Sequence, residues 1–591
     1  MTNKLNLSRR QFIGVAGGVL GASAIAGLSL GSQAAENKTK IKTDDFIVEN
    51  VDTDVLVVGG GMAGLFAAVK AHDAGAKVMM VSKGRLGSSG LTPFAKGIFS
   101  YDKETAEMSI DDFAAKVADS AIGTNNPVFT RQLAEHSYDR VQELKSWGFF
   151  DSALYNKSFM RPMTERNIPL HERIMVTHLV KENGRIVGAS GFSLDEQKIF
   201  HYQAITVILC TGSGGFKPNG FPMCDVTHDG SIMAYKIGAK ITGKEWNDGH
   251  PASAENSGSS YDNWDGQIEE KPGITGVHIN HHLGVDLNYK AYKLGGPVTM
   301  GPPEGANKGS PPASNIAPPK ELTGGPYVPP AFRNAAPPPM PPAPGGLMGL
   351  FAPKPQGPPG MGGVMVGGST AGMAIHKSEG LVPIDDTGLS TIPGLYASGD
   401  ALGSYMAGTI YTQIGSSLAG SAVQGAIAGE AAAKASKALS IVNLSKEKAA
   451  KIEGEILAPI NRKTGYSPAW VTQVLQSVMI PNFVLYIKKE RIMQAALAYV
   501  QEFDEHHVPM LIAEDLHQLR LAHETGNMVK TAEMKLRASL MRTESRCSHF
   551  RLDYPEVDYE NWQAWINLWQ DENGEMQFEK QGFEQWPKFN S

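Results

Sequence analysis

An α/β fold with a Rossmann-like sheet, split by an atypical insert and followed by a helical region, is what this 591-residue sequence predicts, and three observations predict it. The first is Asp54-Val55-Leu56-Val57-Val58-Gly59-Gly60-Gly61-Met62-Ala63-Gly64, an apolar strand that enters a glycine turn and continues into an apolar helix over 65–74. The second is a further apolar strand over 77–82, at the distance of a βαβ unit. The third is helical periodicity over 445–531, with Met493, Leu497, Val500 and Phe503 on one face.

In the βαβ unit, Gly59 permits the tight turn, Gly61 lets backbone amides approach a pyrophosphate, and Gly64 lets the helix pack closely on the strand. This is the pattern of a dinucleotide site. The acidic residue expected at the end of the second strand is missing, because the chain reads Val81-Ser82-Lys83 there, and this counts against a nicotinamide. Residues 109–121 and 128–147 then show apolar residues at helical spacing, as in Phe113, Val117 and Ala121 or Leu133, Val141 and Leu144. Residues 173–187 alternate like a hairpin with Glu182-Asn183-Gly184-Arg185 at the turn, and 204–209 returns to the parallel sheet before a glycine turn at 211–215. A helix is expected over 231–238 and a small-residue helix over 419–435.

More than half of the 36 prolines lie between Pro297 and Pro359. No regular helix or sheet can be built there, which leaves a disordered linker or an ordered lid or docking loop with Met300, Met340, Leu347, Met348, Leu350 and Phe351 as adhesive points. The expected segments are 1–35, an export signal; 50–255, first part of the cofactor domain; 256–363, remodelled insert; 364–440, second part; and 441–591, a helical domain with a hairpin-like tail.

A net charge of −6 and a pI near 6.3 give no basic footprint for nucleic acid. Cys210, Cys224 and Cys547 are too few and too widely spaced for a zinc knuckle, an iron–sulfur cluster or a haem attachment, so no metal site is expected. Cys210 reads as a buried structural thiol, with a Cys210–Cys224 disulfide as the alternative. His278, His281 and His282 lack nearby cysteines and alternate like a strand, which favours ordinary histidines over metal ligands. Ser8-Arg9-Arg10-Gln11-Phe12-Ile13, a Gly- and Ala-rich run to Leu30, and Ala34-Ala35 resemble a twin-arginine signal with a cleavage site. The expectation is a periplasmic protein exported folded, with no membrane span in the mature form; an uncleaved anchor is the alternative.

Four stretches resemble the succinate dehydrogenase/fumarate reductase flavoprotein superfamily, in family order: the glycine turn with Ser82-Lys83; Gly87-Ser88-Ser89-Gly90-Leu91-Thr92-Pro93; Val207-Ile208-Leu209-Cys210-Thr211-Gly212-Ser213-Gly214; and Ile392-Pro393-Gly394-Leu395-Tyr396-Ala397-Ser398-Gly399-Asp400. Thr227-His228-Asp229-Gly230 matches the family's Thr-Gly-Asp-Gly with His for Gly. Arg542-Thr543-Glu544-Ser545-Arg546-Cys547-Ser548-His549-Phe550-Arg551-Leu552-Asp553-Tyr554-Pro555 resembles its C-terminal signature, and the end of the chain resembles the adenylylsulfate reductase branch.

The resemblance implies a two-part FAD domain interrupted by a substrate-side cap. It places FAD on Gly59, Gly61, Gly64, Ser82, Lys83, Ser89, Gly90, Thr211, Gly212, Asp400, Ser417 and Leu418. The flavin is expected to be non-covalent, since Gly87-Ser88-Ser89-Gly90 stands where a flavin-linking His occurs in the succinate dehydrogenase branch.

On the substrate side the pattern departs from the family. Arg333 is the only arginine between Arg185 and Arg462, so the arginines with which such enzymes clamp a dicarboxylate and deliver a proton have no clear counterparts. Tyr405, Thr409, Tyr411, Thr412 and Gln413 stand where an arginine motif belongs. Tyr405, Tyr411 or Arg333 as proton donor and His250 as substrate contact are the catalytic candidates, against tyrosines that merely pack beside the flavin.

The resemblance implies hydride transfer from flavin N5 to an activated C=C bond of a small organic acceptor. Electrons would come from a separate multihaem cytochrome c or iron–sulfur partner. The alternatives are a dehydrogenase passing electrons outward, and a non-catalytic flavin-bearing subunit that docks a partner through the remodelled cap.

Overall fold

The computed structural model describes residues 41–94, 97–106, 108–152, 154–216, 226–250, 252–253, 365–366, 373–376, 379–403, 408, 415–480, 484–485 and 487–585. Residues 43–591 cluster as one compact unit. The export signal, the Pro-rich stretch and the histidine cluster lie outside the described residues.

The chain opens with β1 (Ile47–Val58) and α1 (Met62–Asp73), followed by β2 (Val78–Ser82). Val55–Val58 are buried on both faces, as are all residues of β2, which is the signature of parallel strands covered by helices on each side. Three helices follow, α2 (Ile110–Ala121), α3 (Pro127–Ser146) and α4 (Tyr155–Glu165). Ser109 caps α2 by accepting from the Asp112 amide at 3.1 Å, and Asn126 caps α3 by accepting from the Val128 amide at 3.0 Å. Both helices therefore start where short polar side chains satisfy their first amides.

Next come β3 (Leu170–Glu172), β4 (Ile174–Glu182), β5 (Arg185–Ser193) and β6 (Lys198–Leu209). The expected hairpin is β4–β5, turning on Asn183 and Gly184, which both adopt positive φ. The seven-stranded sheet runs β3-β2-β1-β6-β5-β4. Strand β6 is long enough to hold two partners on one side: β5 along 199–203, and the seventh strand, β14 (Leu395–Ala397), along 207–209.

The middle of the chain contributes β7 (Gly214–Phe216), α5 (Asp229–Lys236), β8 (Ile241–Thr242), β9 (Asp248–His250), β10 (Ala252–Ser253), β11 (Met365–Val366), β12 (Met373–His376), β13 (Gly380–Leu381) and β14 (Leu395–Ala397). Then α6 (Ser416–Ser436) lies across α1. A Cβ on Gly425 would strike the Ala63 carbonyl, and one on Gly429 the Ala67 carbonyl, so the small-residue face is what lets the two backbones approach.

The remainder comprises α7 (Lys446–Asn461), α8 (Pro468–Met479), β15 (Ile487–Lys488), α9 (Glu490–Glu502), α10 (Leu516–Met541), β16 (Phe550–Arg551), β17 (Ala564–Gln570) and β18 (Met576–Gly582). Met493, Val500 and Phe503 are buried with Leu475, Met479, Val529 and Ala532 in the core of this region. The terminal hairpin is not a tail. Strand β17 pairs with β8, Leu568 opposite Ile241, in a four-stranded sheet β13-β8-β17-β18. Among the described residues no helix is long and apolar enough to cross a membrane.

His523 on α10 packs against Phe192 and donates to the Ile456 carbonyl at 2.9 Å. Burial holds it neutral, pulling its pKa from 6.5 to about 4. The unfolded chain binds the extra proton first, so stability contributed by this site is present above pH 6.5 and is lost as pH falls towards 4. The expected loss is roughly 3 kcal/mol. Thermal melts from pH 7 to 4 check this, and His523→Phe should flatten that part of the profile.

Candidate functional site

The carboxyl ends of β1, β2, β6 and β14 lie side by side. The Gly59 amide donates to the Val81 carbonyl at 2.8 Å, the Cys210 amide to Val58 at 2.8 Å, and the Ser398 amide to Leu209 at 3.0 Å. The turns leaving these strands therefore form one crevice, the place where open α/β sheets bind ligands.

Gly59 has φ +123°, and a Cβ there would strike the Cys210 carbonyl, while a Cβ on Gly64 would strike Gly59 O. Gly61 differs. A Cβ there would meet only Thr92 Oγ1, at 3.4 Å, so the space above it is open to a ligand. Thr92 also accepts from the Met62 amide at 3.1 Å and so shapes the start of α1, whose N-terminus favours a pyrophosphate.

On the other side of the crevice Gly399 has φ +63°, and a Cβ there would press on Ser421 Oγ at 2.9 Å and Ala63 Cβ at 3.0 Å. Its amide donates to Gln424 Oε1 at 3.0 Å, whereas Gln424 Nε2, Thr211 Oγ1 and Ser213 Oγ are buried without a partner among the described residues. Asp400 stands partly exposed in the turn after β14. Gly415, φ +84°, starts α6 hard against Ile98, and Ser417 and Leu418 occupy its first turn. Open glycine cradle, helix N-terminus and orphaned polar atoms fit FAD.

The remaining expected cofactor residues are distributed unevenly. Ser82 ends β2 beside Gly60, and Gly212 sits in the turn after β6 with φ +68°. Ser89 and Gly90 lie on the loop after β2, where the Ser89 hydroxyl donates to Arg85 O at 3.2 Å. Lys83 is fully engaged by protein groups: Asp229 Oδ2 at 2.7 Å, Glu524 Oε1 at 2.8 Å and Thr227 Oγ1 at 2.8 Å. Burial opposes its charge, but Asp229 and then Glu524 hold its pKa well above the usual lysine value. It ties the cofactor strand to α5 and α10. The acid missing after β2 has a neighbour across the sheet, since Glu172 pairs with Ser82 and accepts from the Leu86 amide at 2.8 Å.

Cys210 is a free buried thiol that shares a hydrogen bond with Ser398 Oγ at 3.2 Å. That corrects the disulfide alternative, and burial pushes its pKa up to about 12, so it is not a reactive thiolate.

Behind the crevice lies a buried ionic network that sequence reasoning missed. His228 occupies the left-handed region at φ +61°, the conformation for which the family's Gly is suited. Its Nδ1 hydrogen-bonds Glu379 Oε1 at 2.6 Å, and its ring fills the space where a Cβ on Gly214 would lie. Glu379 also meets Lys244 at 3.2 Å and Lys535 at 3.4 Å. Beside it Arg542 pairs with Glu245 at 2.9 Å and Glu544 at 2.8 Å, Arg546 pairs with Glu544 at 2.8 Å, and Arg551 with Asp553 at 2.7 Å. The Arg542 guanidinium lies 4.3 Å from the centre of Trp246. Lys488 and His549 lie 2.8 Å apart, and burial first, then the surrounding cations, pull the pKa of each well below its ordinary value. Lys244, Glu245, Trp246 and Asn247 are thus anchored immediately before β9, the strand that carries His250.

His250 is described only by its backbone. Strand β9 pairs with β12, Met373 opposite His250, and β12 pairs with β7, His376 opposite Gly214. The His250 strand is therefore one strand removed from the strand that begins at the 211–213 turn. Tyr405, Tyr411 and Arg333 lie outside the described residues.

Residues 54–217 match the family described as FAD dependent oxidoreductase, and residues 472–589 the fumarate reductase flavoprotein C-terminal family. One component of the CoM/CoB fumarate reductase of Methanothermobacter marburgensis is 26% identical over 239 residues, 34% of this chain and 43% of that protein, so the match spans less than half of that relative. An uncharacterized FAD-dependent oxidoreductase of Methanocaldococcus jannaschii is 23% identical over 590 residues, 91% of this chain and 99% of its own length. The solved adenylylsulfate reductase of Archaeoglobus fulgidus shares the fold, with a TM-score of 0.66 at 20% identity over 93% of this chain and 99% of that one. With its cradle at one end and its C-terminal signature at the other, the chain belongs to the FAD-dependent oxidoreductases of the fumarate reductase/succinate dehydrogenase flavoprotein superfamily.

Proposed function

We propose that this protein is an exported, periplasmic reductase of an activated C=C bond in an organic acid, fed with electrons by a separate multihaem cytochrome c or iron–sulfur protein. The observation that carries the reading is the small sheet β7-β12-β9. Strand β7 leaves the cofactor turn and β9 carries His250 on the same sheet, two strands across and three residues along from Gly214, roughly 14 Å, which supports His250 as a residue on the substrate side. The non-covalent FAD supplies two-electron chemistry at N5. The protein's part is to hold the acceptor, exclude water and deliver a proton to the second carbon, for which Tyr411, Tyr405 and Arg333 are the candidates.

A small dicarboxylate is a poor fit. Arg542, Arg546 and Arg551 are buried and paired with carboxylates, and so are not offered to a substrate. An acceptor with one carboxylate and a larger apolar or aromatic part suits a site with few guanidinium groups. The marburgensis relative's name, a fumarate reductase, supports the direction of electron flow.

Oxidation of reduced viologen by the FAD-loaded protein, against fumarate, urocanate, acrylates and cinnamates, tests the reading. The expected result is turnover with a monocarboxylate well above that with fumarate. Tyr411→Phe or Arg333→Ala should lower turnover by about 10²-fold or more at unchanged flavin content; full activity in both removes these proton donors.

A further inference from the structure

We infer that an exposed aromatic strip on the C-terminal helices docks residues 337–344 of this same chain. The strip consists of Tyr499, His507, Tyr466 and Trp470. Tyr499, Trp470 and Tyr466 are 51%, 48% and 39% exposed, unusual for large rings in one place. They form a continuous series. Tyr499 touches Phe503 at 5.2 Å between centroids, Phe503 touches His507 at 5.1 Å, and His507 touches Tyr466 at 4.4 Å and Trp470 at 6.0 Å. Tyr466 and Trp470 are nearly parallel, 18° apart.

The strip is built rather than incidental. Phe503 is buried and fixes the base of the strip. His507 is carried by a π-helical turn, Phe503–His507, inserted after α9, a distortion that helices retain mostly for function. Tyr466 is clamped on both sides of its backbone: its amide donates to Met510 O at 2.9 Å, and its carbonyl accepts from the Ile512 amide at 3.1 Å. Pre-placed, half-exposed rings lose little freedom on binding.

Ordered, exposed aromatic rows fit the flat, hydrogen-bond-free faces of a polyproline II helix. This chain supplies such a ligand in Pro337-Pro338-Pro339-Met340-Pro341-Pro342-Ala343-Pro344. The roughly 20 residues between the segment and β11 span up to about 70 Å when extended.

Limited trypsin digestion of the full-length, FAD-loaded protein tests this through the rate of cleavage after Arg333, with cleavage after Lys308 as internal reference. Trp470→Ala should speed cleavage after Arg333 about tenfold relative to Lys308, and Trp470→Phe should restore much of the protection. Replacing Pro338, Pro339, Pro341 and Pro342 together by Ala leaves the strip intact and should give the same acceleration. Unchanged cleavage in the Pro-to-Ala variant would overturn the proposal. So would protection that falls on dilution, which would assign the strip to a second copy of the chain.

Discussion

The Gly64→Val protein is expected to purify without flavin and to melt far below the parent. A β-branched side chain there would lie inside Gly59 O and against Cys210 Cβ at 3.5 Å. Gly59 cannot yield, because its own φ of +123° and the Cys210 carbonyl fix it. Nor can α1 retreat, since α6 sits on the Ala63 and Ala67 carbonyls through Gly425 and Gly429. The cost should exceed the ~1–3 kcal/mol of ordinary overpacking, and the cradle would be lost with it. Gly61→Ala is the informative control. Its Cβ meets only Thr92 Oγ1 at 3.4 Å, so this variant should melt like the parent yet hold less FAD. Flavin absorbance per chain and a thermal melt separate the two effects.

Glu379→Leu should destabilise the fold by about 3–5 kcal/mol, the range for breaking a buried ion pair and leaving its partners charged. Burial alone would raise the Glu379 pKa, but Lys244, Lys535 and His228 overcome it and hold the carboxyl well below the usual range. Its contribution is therefore complete at neutral pH and is lost only as pH falls below the unfolded value near 4.5. In the variant the lysines face each other without an anion. Lys535 is already pulled by burial to about 8 in the parent, and removing Glu379 pulls it lower. The variant should therefore regain stability as pH rises towards 10.5, more steeply than the parent. Denaturant unfolding at neutral and alkaline pH measures both terms.

Local patterns were the legible part of this sequence. The strand, glycine turn and helix at 54–73, the hairpin turning on Asn183-Gly184, and the terminal hairpin all rest on contacts between near neighbours, where period and turn chemistry decide the outcome. Helix ends were placed within a few residues by apolar periodicity, 109–121 and 128–147 against the observed Ile110–Ala121 and Pro127–Ser146. The ionic network was illegible for the opposite reason. His228 finds Glu379 151 residues away, and Glu245 finds Arg542 297 residues away, and nothing local marks either partner. Lys83 shows the same limit. The resemblance implies an FAD contact for it, whereas its ammonium group is engaged by Asp229 and Glu524. The hairpin-like tail was recognised as a hairpin, but its pairing with β8 depends on a strand 320 or more residues earlier.

The most direct test of the central claim is anaerobic stopped-flow mixing of the reduced, FAD-loaded protein with the unsaturated acid preferred in the viologen assay. The account predicts rapid reoxidation of the flavin, at a rate no slower than turnover, with little response to fumarate. Bleaching of the oxidised protein by the corresponding saturated acid, with no reoxidation of the reduced protein by the alkene, would contradict it and assign the chain to outward electron flow.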